Sequence, residues 1–223
     1  MKKVKILIFD TETAGLPKNY KPAEEDLTNY PPVVQLGGQI LELDLDDLTS
    51  CKLVFGINVI VSPFRNEQPI TIDPKAQAVH GISFVKAEAL GDKIETVAYI
   101  YQGICNSVDF IVCHNYSFDK NIMVSELLRL GIEPKYKRGA KVFCTMKFST
   151  NLLQLPNPKY PGQFKFPRLE ELYRHLFNDS LHNHHQAHDA YGDVEATRDC
   201  LIELIKRDEN LLKWFKGEIE TIY

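Results

Sequence analysis

Four acidic signatures, the last two sharing one segment, recur in a fixed order along the chain. They are Phe9-Asp10-Thr11-Glu12-Thr13, His114-Asn115-Tyr116-Ser117-Phe118-Asp119 and His188-Asp189-Ala190-Tyr191-Gly192-Asp193. Together they supply four carboxylates, Asp10, Glu12, Asp119 and Asp193, and one histidine, His188. Carboxylate oxygens are hard ligands that suit Mg²⁺ or Mn²⁺. A histidine titrates near neutrality and can take a proton from water. Two such cations roughly 3.5–4 Å apart activate a water on one side and stabilise a leaving oxygen on the other. The chemistry this set serves best is phosphodiester hydrolysis.

Spacing supports the assignment. Side chains two apart in a strand share a side, so Asp10 and Glu12 can share a cation at the end of the apolar run Val4 to Phe9. Ligands of open α/β sheets gather at such carboxyl ends. Two adjacent acids in a semi-buried place repel unless a cation intervenes. Asp119 falls in the first turn after the apolar segment Phe110-Ile111-Val112-Cys113, where stabilising a helix N-terminus is an equally good reading. His188 and Asp193 would stand about 140° apart on one helix. Both face one site if the helix starts at or after Asp189, with Asp189 as its N-cap and His188 in the preceding loop.

These positions require particular elements. Val4 to Asp10 reads as a buried strand, with Lys5 interrupting any resemblance to a secretory leader. Val33 to Leu43 and Leu53 to Ser62 complete an antiparallel meander, and Gly37-Gly38 marks a bulge or a close backbone approach. Helices are expected from the Ser83 cap through Leu90, from an Asp92 cap through about Ser107, over about Ser117 to Leu130, over Arg168 to Phe177 and over Asp189 to Arg207. Phe110–Cys113 and Lys141–Phe143 are further strands, the second followed by a helical turn; Pro17–Pro32 and Pro156–Pro167 are loops. The expected fold is α/β, a mixed sheet flanked by helices. One domain spans 1–223, with a core of about 4–207 and a short tail at 208–223 (Leu211, Leu212, Trp214, Phe215) that packs on the core or serves as a docking surface.

The ordered set Asp10/Glu12, Asp119 and His188/Asp193 resembles the DnaQ-like 3′–5′ exonucleases of the DEDDh subgroup. The resemblance runs from Ile8 to about Ile205, with Ala14 where threonine is more usual, and His188 stands where the sister subgroup has tyrosine. It implies a ribonuclease H-like, five-stranded fold and two divalent ions. Asp10 would bridge both ions, Glu12 and Asp193 would hold the one beside the nucleophile, and Asp119 would support the other. It implies that backbone near Glu12–Thr13 meets a terminal 3′-OH and that Leu16 packs on the last base. Thr11, Thr13, Leu16, Asn115 and Phe118 form the expected substrate-binding set, and His188 the base. Expected partners are single-stranded nucleic acid or 3′ ends, with a DNA polymerase or replication complex implied if the role is proofreading.

Composition sets outer limits. At 223 residues, 44% hydrophobic and 25% charged, the chain is ordinary for a globular protein. No apolar run approaches the roughly 18–20 residues needed to cross a bilayer. Five scattered cysteines without a C-x-x-C pair argue for reduced thiols and a cytoplasmic location. A net charge of −4 gives no broad basic footprint for duplex DNA, which an enzyme gripping one strand end does not need. A zinc reading of His182, His184, His185 and His188 finds no helical ligand pair, so a solvated loop is preferred. Lys135, Lys137, Arg138 and Lys141 read as solvated surface or a phosphate track. The loop Pro156–Arg168 interleaves Tyr160, Phe164 and Phe166 with Lys159, Lys165 and Arg168, which suits single strands, although hydrophobic anchoring explains it almost as well. DNA is the leading substrate, an exoribonuclease trimming RNA or short oligonucleotides the alternative, and a non-catalytic binding module a third reading.

Overall fold

The structure, a computed structural model, describes residues 2–222. Strands β1 (Lys3–Thr13), β2 (Val33–Asp44) and β3 (Cys51–Ile60) form the expected antiparallel meander. A hairpin of β4 (Phe64–Arg65) and β5 (Gln68–Pro69) follows, and then β6 (Phe110–Cys113) and β7 (Lys141–Cys144). The main sheet has the order β3-β2-β1-β6-β7, with β6 parallel to β1 and β7 parallel to β6. This is the mixed five-stranded sheet that the sequence implies.

The helices are α1 (Pro74–His80), α2 (Phe84–Leu90), α3 (Ile94–Cys105), α4 (Tyr116–Arg129), α5 (Thr145–Leu153), α6 (Leu169–Phe177), α7 (Ala190–Arg207) and α8 (Glu209–Lys216). Ser83 caps α2 as expected, its hydroxyl accepting from the Lys86 N–H. Asp92 does not cap α3. Its N–H and carbonyl are spent on Ile60 and Ser62 at the end of β3, so the helix begins two residues later behind Lys93. The single turn expected after β7 is the nine-residue α5. Sequence reading passed over α1, although Asp73 capping Lys75 and Pro74 at the first helical position are its signals.

Alternation along β1 sorts two cores. Ile6 and Ile8 face a layer built from α6, α7 and α8, including Leu172, Val194, Leu201 and Trp214. Leu7 and Phe9 face the opposite layer of α3 and α4, including Val97, Tyr101, Ile122 and Leu127. The tail is part of the first core: Trp214 and Phe215 of α8 stack with Phe110 and Phe143 at centroid distances of 4.6–5.9 Å. Among the described residues, no helix is long and apolar enough to cross a membrane, and none of the five cysteines is in a disulfide.

Candidate active site

The parity of β1 continues past its apolar run. Asp10 and Glu12 follow Ile6 and Ile8 toward α7, whereas Thr11 follows Leu7 and Phe9 toward α4. Asp193 sits in the first turn of α7. One oxygen each from Asp10, Glu12 and Asp193 lie within 4.8 Å of one another. Among the described residues, no lysine or arginine pairs with these acids or with Asp119. Burial, and then the charges of the neighbouring acids, hold the Asp10 carboxyl well above its ordinary value. The same causes push Glu12 up to about 8, and burial chiefly pushes Asp193 up to about 7. Carboxyls this close without a counter-charge resist ionisation, and three hard oxygen donors so gathered fit a divalent cation.

Asp119 reaches the same place from the other layer. It is 2% exposed, and its Oδ1 accepts from both the Thr11 N–H (3.0 Å) and the Thr11 hydroxyl (2.8 Å). Burial raises it to about 7 even though these two bonds favour the charged form. It stands outside the close trio, but its charge bears on both Asp10 and Glu12. The structure thus brings the four predicted carboxylates together, three in mutual reach and the fourth fastened beside them by Thr11.

The position of Asp193 depends on how closely α7 approaches the sheet. Gly37 lies opposite Asp10 in the β1–β2 register, and a Cβ there would come within 2.5 Å of the Ala190 carbonyl. Of the two meanings open for Gly37-Gly38, close approach is the one realised; the strand irregularities fall at Glu12/Thr13 and Ile40/Leu41. Gln35, opposite Glu12, fastens the helix start. Its Nε2 donates to Asp189 Oδ1 (2.6 Å) and its Oε1 accepts from the Ala190 N–H (3.3 Å). Asp189 is the N-cap, accepting from the Gly192 N–H, and α7 begins at the next residue, as the spacing requires. His188 lies in the preceding loop at φ +60°, exposed, and its backbone N–H, near the Asp193 carboxyl, partly offsets the effect of burial there. A side chain at Gly192 would strike the Gln186 carbonyl, so this glycine lets the His188 loop lie against the first turn of α7.

Two recesses flank the carboxylates. One, of about 480 Å³, is lined by Thr11, Glu12, Thr13, Leu16, Phe118 and His80, among others, a volume within the range of small-ligand pockets, roughly 300–1,000 Å³. Leu16 is 85% exposed at its rim. Here the Thr13 hydroxyl donates to Gly15 O (2.7 Å), and the imidazole of His80 spans Thr13 O (3.2 Å) and the Ile82 N–H (3.0 Å). Of the five expected substrate-binding residues, Thr11, Thr13, Leu16 and Phe118 line it. Asn115 does not; it is the left-handed residue that starts α4, at φ +81°. The other recess holds His188 and Asp193 together with Arg168, Leu169 and His182.

The remaining histidines do not converge. His114 is tied to the Thr145 hydroxyl (2.9 Å) and to Pro167 O (3.0 Å), and burial lowers it to about 4; it is a structural residue. His184 faces Asp179 (2.7 Å) and His185 faces Asp199 (3.1 Å), and among the described residues no set of three potential metal ligands includes a histidine. His185, buried against Tyr173, instead anchors the loop that leads to His188. Of the basic stretch, Lys137 pairs with Asp109 (2.5 Å) and Lys141 lies over the Trp214 ring, as surface residues do. Sequence reasoning missed the work of Gln35, Gly192 and His185, because each acts across a tertiary contact.

The family model RNase T, described as Exonuclease, matches residues 7–201. The chain belongs to this exonuclease family. The DEDDh pattern is consistent with that membership. No curated protein matches the chain in sequence. Among solved structures, Escherichia coli exonuclease I in complex with a dA16 oligonucleotide superposes with a TM-score of 0.69 at 20% identity, covering 96% of this chain and 43% of that one. Exonuclease I from Methylocaldum szegediense gives 0.68, also at 20% identity and with the same coverages. A zinc-bound exonuclease I–single-stranded DNA complex from E. coli gives 0.69 at 18% identity, covering 96% and 43%. The chain therefore spans under half the length of these exonucleases, with which it shares the ribonuclease H-like fold.

Proposed function

We propose that the protein is a divalent-cation-dependent 3′–5′ exonuclease that releases nucleoside 5′-monophosphates from the 3′ end of single-stranded DNA. The observation that carries this reading is the trio of mutually close, unpaired carboxylates with Asp119 fastened beside it, in a chain of the exonuclease family. Asp10, Glu12 and Asp193 would hold the cation, with Asp119 supporting it from beside the trio. The chemistry supplied by a pair of Mg²⁺ or Mn²⁺ ions there is activation of water and stabilisation of the departing oxygen. His188, exposed beside Asp193, takes the proton from the attacking water. Its backbone N–H lies beside the Asp193 carboxyl, so base and ligand are neighbours at the start of α7. The recess with Leu16 and Phe118 receives the terminal nucleoside, with the Glu12–Thr13 backbone at its 3′-OH.

DNA is supported by the likeness to exonuclease I, whose structures hold dA16 and dT13. The name of the family model, RNase T, supports the second reading, an exoribonuclease. The test is degradation of matched DNA and RNA single strands labelled at the 5′ end, with Mg²⁺, with Mn²⁺ and with EDTA. The reading predicts stepwise shortening from the 3′ end that EDTA stops. Internal cuts, or full turnover in EDTA, would overturn it.

A further inference from the structure

The hairpin between α5 and α6 is built in a way that the catalytic site does not explain. Its arms are joined by Asn157 N–H to Gln163 O (2.9 Å), Lys165 N–H to Leu155 O (2.9 Å) and a Pro156–Phe164 bridge. The tip is set by the Asn157 side chain, which accepts from the Lys159 and Tyr160 N–H groups, and by Gly162 at φ +81°. On this fixed backbone three aromatic rings face solvent: Tyr160 is 59% exposed, Phe164 44% and Phe166 60%. An anchored loop buries its aromatics, so anchoring does not account for them. Cations are interleaved with the rings. Lys165 pairs with Glu171 (2.5 Å), whereas neither Lys159 nor Arg168 is in an ion pair among the described residues.

The hairpin ends at the catalytic site. Pro167 is buried, and its carbonyl accepts from His114, the residue before the Asn115 cap of α4. The next residue, Arg168, lines the recess that contains His188 and Asp193, whereas Leu16 and Phe118 line the other recess.

We infer that Tyr160, Phe164 and Phe166, with Lys159 and Arg168, form a stacking track for the nucleotides 5′ of the scissile phosphate of a single strand. This rests on the exonuclease reading above. Every base offers a face to an aromatic ring, so the track grips single strands without reading their sequence. The cations beside the rings match the strand's phosphates. Duplex ends present their bases already stacked and gain little from it.

The test measures anisotropy of 5′-fluorescein oligothymidylates of two to ten nucleotides in EDTA. It compares the parent with the variant carrying Tyr160→Ser, Phe164→Ser and Phe166→Ser, and with Phe164→Trp/Phe166→Trp. Affinity of the parent should climb with length beyond two nucleotides, and stacking contributes about tenfold per base. The serine variant should lose at least tenfold on the eight-nucleotide strand and little on the dinucleotide, while melting as the parent does. The tryptophan variant should keep the length dependence. Equal affinity of parent and serine variant for the longest strands would overturn the track and leave the hairpin as a protein-docking surface. The exonuclease reading is scored separately, by nucleotide release with Mn²⁺. A parent that binds through the hairpin yet releases nothing would sink that reading and leave the track standing.

Discussion

At the scale of single residues, base and ligands are separable. His188→Ala should lower kcat about 10²–10⁴-fold, the usual contribution of a positioned proton acceptor, with Mn²⁺ affinity little changed because the backbone N–H that bears on Asp193 is kept. Asp193→Asn should lower both. Steady-state kinetics beside a Mn²⁺ titration distinguishes the two patterns, and unchanged metal affinity in Asp193→Asn would contradict the assignment. Thr11 is a quieter member of the site. Thr11→Val removes one of the two bonds on Asp119 Oδ1 and keeps the backbone bond. Turnover should fall without loss of fold, and Thr11→Ser should restore it.

At the scale of elements, activity depends on how α7 meets β2. Gly37→Val would drive the first turn of α7 off the sheet, because even a Cβ would come within 2.5 Å of Ala190 backbone. Asp193 would move with it, so we expect loss of turnover together with a lower melting temperature. Gln35→Ala should be milder, since Asp189 still caps the helix through Gly192. The strands and most helices were legible because β1 and β2 bury continuous apolar runs and Ser83 and Asp189 occupy recognisable caps. The gathering of Asp10, Glu12 and Asp193 was legible for the same reason: each sits where a strand ends or a helix begins. The start of α3 was not, because Asp92 is drawn into pairing with the end of β3, a contact that no local pattern announces. The partner of Asp119 was equally hidden, since Thr11 lies 108 positions away.

At the scale of the whole molecule, the site opposes folding. The folded-state carboxyls of Asp10, Glu12, Asp119 and Asp193 are all raised above their ordinary values, to about 8 for Glu12 and about 7 for Asp119 and Asp193. An acid raised on folding contributes stability that is present below its unfolded value, near pH 4, and lost as pH climbs through the folded value. Metal-free protein should therefore lose on the order of 5–10 °C in melting temperature between pH 5 and pH 8.5, and a saturating divalent cation should remove the loss. A melting curve independent of pH in EDTA would contradict the crowding of these acids. Stability far from the site rests on the aromatic cluster: Trp214→Ala should cost about 3–5 kcal/mol by denaturant unfolding, with kcat preserved in the folded fraction. The most direct test of the account is calorimetric titration of Mn²⁺ into the parent and into Asp10→Asn at pH 8. We predict that the parent binds the ion and that Asp10→Asn, which keeps the shape of the side chain but not its charge, loses that binding. Equal Mn²⁺ affinity in the two proteins would contradict the account.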